Sequence, residues 1–249
     1  MQSAKTKAAL QVAACFAVSF TAYEVVRGYL HLRAAHELIT KASLFPTELS
    51  IGSGPVLNYV SLGDSTAQGV GADRFDRTLP YQIAEKLHGR TVRLSNLAQS
   101  GATIADVVDD QIPKIPDGKV DLITISISAN DVTHNTNPEA LQTQLDALFK
   151  KLEVLGPASI VIGSTPNFQE TPALPWLVRR VFYARAGVLA QKIEACAHDH
   201  PNVAIADLFE HGSILNSEYA KDGFHPSPKG YARWAKLYYQ AARVKLESN

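Results

Sequence analysis

From Val56 to the C-terminus, short apolar runs alternate with stretches of helical period, and this alternation leaves few folds open. Val56–Leu62, Thr91–Leu97, Val120–Ser128, Ala158–Gly163 and Val203–Ala206 have strand character. Between and after them lie the helical stretches Leu79–His88, Thr103–Ile112, Pro138–Leu155, Leu177–His198 and Pro228–Leu246. The run VDLITISIS is rich in β-branched residues, as a strand buried on both faces must be. The pattern predicts an α/β three-layer sandwich around a central, mostly parallel, five-stranded sheet. In such sheets ligands bind outside the carboxyl ends of the strands, so chemistry is expected there.

A chain of 249 residues suffices for one such domain and a short extra segment. Lys+Arg and Asp+Glu are 24 each, so there is no basic surplus of the kind a nucleic-acid binder carries. The 2 cysteines, Cys15 and Cys196, lie in unlike surroundings, and no CxxC or HExxH pattern occurs. No metal site is expected.

The N-terminus differs from the rest. Lys5 and Lys7 precede an uncharged stretch from Ala8 to Tyr23, which can extend to about Leu32 if Glu24 and Arg27 reach the interface with their charged ends. Residues 1–33 are therefore expected to form an apolar helix, a signal-anchor or transmembrane segment with membrane association through residues 8–32, or else an amphipathic helix packed on the domain. A signal-anchor would hold the domain outside the cytoplasm, in the cell envelope; a cleaved signal would make it secreted. Val12-Ala13-Ala14-Cys15 also looks like a lipoprotein box. Residues 34–55, with Phe45-Pro46 and Ile51-Gly52-Ser53-Gly54-Pro55, are expected to be a linker, and 56–249 the folded domain.

Several strand ends carry residues suited to acyl transfer. The first gives Gly63-Asp64-Ser65-Thr66, with Ser65 where a turn or helix begins and a backbone N–H favours an anion. The second is followed by Ser100-Gly101, and a glycine there lets a substrate approach the backbone closely. The third ends in Ser128-Ala129-Asn130-Asp131, where an Asn amide can donate to an oxyanion. Before the last helix stands Asp222-Gly223-Phe224-His225-Pro226, in which a carboxylate can turn back onto the ring of a histidine three residues on. Taken singly, each is also what an ordinary turn or loop provides.

In this order, "YVSLGDST", "NLAQSGAT", "ISISAND" and "DGFHPSPKGY" resemble the four blocks of the SGNH hydrolase superfamily, also called the GDSL family. The likeness covers about residues 56 to 246. It implies a flavodoxin-like hydrolase fold and a serine esterase with no cofactor. It makes Ser65 the nucleophile, His225 the general base and Asp222 its partner. The oxyanion hole would comprise the Ser65 N–H, the Gly101 N–H and the Asn130 side chain. Two positions depart from the family pattern: Thr66 stands where Leu is usual, and Ser128 where Gly is usual.

The implied reaction is hydrolysis of short- to medium-chain carboxylic or acetyl esters, small-molecule, glycan or lipid, through an acyl-enzyme. An O-acyltransferase or a carbohydrate deacetylase would use the same residues; a membrane-tethered binding module would use none of them. The connection 165–177 holds Pro166, Pro172 and Pro175 with large apolar side chains and leaves the carboxyl end of a strand. Phe168, Leu174 and Trp176 are thus expected in one wall of the acyl pocket, or else packed on the core or on a membrane surface.

Overall fold

The computed structural model describes residues 2–246, with side chains at 18, 19, 21–244 and 246. Along the chain run α1 (Gln2–Ala42), β1 (Glu48–Gly52), β2 (Val56–Gly63), α2 (Ser65–Gln68), α3 (Leu79–Lys86) and β3 (Thr91–Asn96). Then come α4 (Ile104–Asp106), β4 (Leu122–Ser126), α5 (Ala129–His134), α6 (Pro138–Val154), β5 (Ser159–Gly163), α7 (Trp176–His198), β6 (Val203–Ala206) and α8 (Pro228–Leu246). The sheet order is β1-β3-β2-β4-β5-β6, and every pair is parallel except β1 with β3.

Side-chain alternation along the strands divides the core in two. Val60, Leu62, Ile123, Ile125, Ile160 and Ile162 face one side, under α4, α5, α6 and α7. Tyr59, Leu122 and Val161 face the other, under α3 and α8. All five residues of β4 and all five of β5 are buried, as strands covered on both faces must be. Two buried tyrosine hydroxyls in these layers are paired: that of Tyr238 donates to Ile125 O at 3.0 Å, and Tyr59 Oη lies 2.7 Å from Thr124 Oγ1.

Three sequence expectations need correction. The sheet has six strands, because residues 48–52, expected in a linker, form β1. Leu49 and Ile51 alternate inward along it, and the glycines taken as breakers instead make the turn into β2, Gly52 at φ 83° and Gly54 at φ 125°. The rest of the supposed linker is not loose either, since α1 runs on to Ala42 and buries Leu38 and Ala42 against Val70. The helix expected over 103–112 is three short pieces: α4, a π turn at Val107–Gln111 and a 3-10 turn at Ile112–Lys114. Thr103 caps α4 in a reciprocal box with Asp106, and Pro113 prevents a longer helix.

The run expected as a signal-anchor, residues 8–32, falls in part outside the described side chains, and Cys15 lies there. Among the described residues, no helix is long and apolar enough to cross a membrane.

Candidate active site

Ser65 opens α2, directly beyond β2. Asp64 caps that helix by accepting from the Thr66 N–H at 2.8 Å and from the Thr66 hydroxyl at 2.7 Å. Two contacts hold the strand end. Asp64 N–H donates to Ser126 O at 2.9 Å. The buried Gln111 amide brackets Gly63, accepting from its N–H at 2.9 Å and donating to its carbonyl at 2.8 Å. Gly63 stands at φ 135°, and a Cβ there would collide with the Ser126 carbonyl.

His225 and Asp222 come from the turn before α8. His225 Nε2 lies 2.9 Å from Ser65 Oγ, and His225 Nδ1 lies 2.5 Å from Asp222 Oδ2. The other Asp222 oxygen accepts from the backbone N–H of Phe224 at 3.0 Å and of His225 at 3.1 Å. This arrangement leaves Nε2 free to accept the Ser65 proton while Nδ1 carries its hydrogen toward the carboxylate. Burial pushes the Asp222 carboxyl up, but the hydrogen bond and charge of His225 and the two backbone donors outweigh it and hold its pKa below the ordinary carboxylate value.

The next two strand ends complete the floor. Gly101, at φ 87°, has open space where a side chain would stand. Its loop is tied to α2 by Ser100, whose N–H and hydroxyl both donate to Gln68 Oε1. Asn130 lies in the first turn of α5, and one of its amide hydrogens goes to Ala102 O at 2.9 Å. An Asn amide has two such hydrogens, so one remains for a ligand. Asp131 fixes this helix against α4, accepting from Ile104 N–H at 3.2 Å and the Thr136 hydroxyl at 3.0 Å, and burial raises its pKa.

Both departures from the family pattern have local explanations. Ser128 stands at φ 86°, a left-handed backbone that glycine adopts freely and a serine only under strain. Its buried hydroxyl donates to Thr165 Oγ1 at 3.1 Å, which anchors it there. The Thr66 hydroxyl, besides bonding Asp64, lies 2.7 Å from Ser126 Oγ, so it serves a buried polar network where Leu would offer only apolar contact.

Ser65, Gly101, Asn130, Phe168 and His225 line a single cavity of about 190 Å³. Asp222 stands behind His225, away from it. Phe168 is buried, its ring 6.1 Å from that of Phe224, which in turn lies 5.3 Å from His225. Leu174 and Trp176 do not line the cavity. Leu174 packs on the core. Trp176 is 68% exposed in the first turn of α7, where it borders a separate depression with Arg179, Arg180 and Tyr183. The connection thus borders the cavity at Pro166, Asn167 and Phe168 and again at Thr171, and turns out to solvent at Trp176.

Four lining residues, Ile39, Ile214, Tyr219 and Trp234, were not legible as site residues. They are scattered over α1, a loop, the residue that follows the 3-10 turn Asn216–Glu218, and α8, and only the tertiary fold collects them. Among the described residues no cluster of three or more His, Cys, Asp or Glu could hold a metal ion.

The sequence profile of the GDSL-like lipase/acylhydrolase family matches residues 61–233. Among solved structures, the chain is similar to a family 3 carbohydrate esterase from Clostridium thermocellum, with a TM-score of 0.59 at 18% identity, covering 78% of this chain and 98% of that one. It is similar to an extracellular lipase from Streptomyces rimosus, with a TM-score of 0.53 at 20% identity, covering 74% and 99%. An acetyl xylan esterase from Geobacillus stearothermophilus gives 0.54 at 20% identity, covering 77% and 96%. At these identities the likeness is one of fold. No curated protein sequence matches the chain.

Proposed function

The chain belongs to the GDSL-like lipase/acylhydrolase family and is therefore a serine hydrolase; from that premise we propose that it hydrolyses short- to medium-chain carboxylic esters, with Ser65, His225 and Asp222 as its catalytic residues. The observation that carries this is the unbroken relay Ser65 Oγ to His225 Nε2 at 2.9 Å and His225 Nδ1 to Asp222 Oδ2 at 2.5 Å, opening on an apolar cavity.

In this mechanism His225 Nε2 takes the Ser65 proton as Oγ attacks the ester carbonyl. The oxyanion that forms accepts from the Ser65 N–H, the Gly101 N–H and the free amide hydrogen of Asn130. Collapse breaks the bond to the alcohol, which leaves with the proton from His225. Water then attacks the acyl-enzyme by the same route, releasing the acid and restoring Ser65. Asp222 stays ionised throughout and stabilises the imidazolium, a role its lowered pKa suits.

Cavity size supports the substrate class. At about 190 Å³ it is somewhat larger than the cavity of about 150 Å³ that holds a benzene molecule, room for an acyl chain of roughly six carbons. Phe168, Ile214, Phe224 and Trp234 favour a hydrocarbon chain over a sugar ring at that position.

The test is a panel of esters of graded acyl length with wild type and Ser65→Ala. Wild type should prefer acyl chains of four to eight carbons, and Ser65→Ala should lose turnover and labelling by a serine-directed phosphonate while remaining folded. A Ser65→Ala variant that kept most of its turnover would refute the assignment. Adding a sugar alcohol separates hydrolysis from transfer, since a transferase would release acylated sugar in place of free acid. Location outside the cytoplasm, at a membrane, belongs to the same proposal. It is supported by Lys5 and Lys7 before the uncharged run, and full-length protein wholly soluble without detergent would rule it out.

A further inference from the structure

The helix that precedes the family's matched residues reaches into the catalytic cavity. Along α1 the residues turned toward the domain recur every three or four positions, Arg27, His31, Ala35, Leu38 and Ala42. Arg27, His31, Leu38 and Ala42 have counterparts near the site or on its rim. Arg27 donates to Pro172 O at 3.2 Å, and the Lys221 ammonium pairs with Glu37. The His31 ring lies so near Gly223 that a Cβ there would be 3.1 Å from its Cε1. Leu38 and Ala42 pack on Val70, with Ile39 and Ala220 against the same cluster.

These partners are not scattered. Val70 follows the helix that Ser65 opens, and its carbonyl accepts from the buried Tyr231 hydroxyl. Ala220, Lys221 and Gly223 belong to the turn that carries Asp222 and His225, which closes on itself where Ala220 N–H donates to His225 O at 2.8 Å. Helix α1 therefore lies across the seam between the two halves of the Ser–His relay. Half-buried at that seam, Ile39 is the one described side chain of this helix that lines the cavity.

We propose that α1 is part of the active site and that Ile39 is a specificity-determining residue, an apolar wall that limits the acyl chain the cavity accepts. The inference rests on the ester-hydrolase reading above and adds the element that sets its chain-length preference. Ile39 has no polar atom to offer the reaction, so its contribution is steric: a smaller side chain lengthens the cavity, a larger one shortens it. One methylene in such a pocket changes selectivity by about tenfold or more, so the effect is measurable.

The experiment compares Ile39→Ala and Ile39→Phe with wild type in the full chain, using acyl esters of two to ten carbons. The ratio of kcat/KM for long over short chains should rise about tenfold in Ile39→Ala and fall about tenfold in Ile39→Phe. The same order should appear in the rates at which alkyl phosphonates of matching lengths label Ser65. Equal scaling of every ester in both variants, or an unchanged ranking, would overturn the proposal, as would a shift that followed the alcohol and not the acyl chain. If either variant failed to fold, Ile39→Val should give a smaller rise in the same ratio, and an unchanged ratio there would overturn the proposal. Should wild type hydrolyse no ester yet be labelled by the phosphonates, the ester reading fails, while the chain-length order of labelling still decides the role of Ile39.

Discussion

Asp64 adjoins the nucleophile, and its side-chain partners are the N–H and hydroxyl of Thr66. Burial pushes its carboxyl up from 3.8 to about 6, with the Thr66 bonds and the charge of His225 only partly opposing. A folded pKa above the unfolded one means that the native state holds the proton more tightly. The stabilisation is fully present below about pH 4 and is lost as pH rises through about 6. Above that, ionised Asp64 weakens the fold by an amount on the order of 3 kcal/mol. Asp64→Asn keeps the acceptor and removes the titration. Its stability relative to wild type should therefore climb between about pH 4 and 7, read from denaturant midpoints; a difference that stayed flat would show that Asp64 does not titrate there. Asn130→Ala should lower kcat by about 10²–10³ with KM little changed, because the amide acts on charge that develops in the transition state. A raised KM as the sole defect would place Asn130 in substrate binding instead.

Single residues were legible in the sequence where they sat in short contiguous motifs at strand ends. Ser65, Gly101 and Asn130 did, Phe168 follows β5 closely enough to share that logic, and Asp222 and His225 stand in an equally short motif in the turn before α8. Trp176 was less legible, because a loop rich in proline and apolar residues suits a pocket wall, a core contact and a membrane surface alike. It stands in the first turn of α7, where side chains lean back over the helix start, and here that start faces solvent.

At the level of elements, the least regular one supports the nucleophile. Gln111 ends the π turn Val107–Gln111 and reaches β2 to satisfy the Gly63 peptide on both sides. Gly63 O also accepts from Gln99 N–H at 3.1 Å, so Gln111→Ala would strand chiefly the Gly63 N–H. A buried donor left unpaired costs about 1–3 kcal/mol, and the denaturant midpoint should fall accordingly. A variant as stable as wild type would mean that water replaces the amide. Nothing in the pattern of residues 103–112 announced this turn. A π turn keeps helical dihedrals and apolar spacing, and only Pro113 hinted at where the helix ended. Strand cores were readable for the opposite reason: β4 and β5 are buried on both faces, and their runs of Ile, Val and Leu have few other places to go.

Over the whole molecule, the sheet and the site both depend on residues before Val56. The expected boundary put the folded domain at 56–249, which would make Ser53 a harmless place to begin the chain. The pairing of β1 with β3 argues otherwise, because β1 covers the edge of β3 from Thr91 to Ser95 and brings Leu49 and Ile51 to the core. Without β1, that edge presents unpaired N–H and C=O groups beside newly exposed apolar side chains, a template for association between chains. A chain starting at Leu44 keeps β1 and Phe45 and loses only α1, so it should fold as a single species of lower thermal stability with a more open cavity. A chain starting at Ser53 should instead associate or precipitate. Size-exclusion chromatography and thermal melting of the two proteins compare them directly. If both eluted as equally stable monomers, β1 would be an ornament on the edge. If only the longer one did, the expected linker is the strand that closes the sheet.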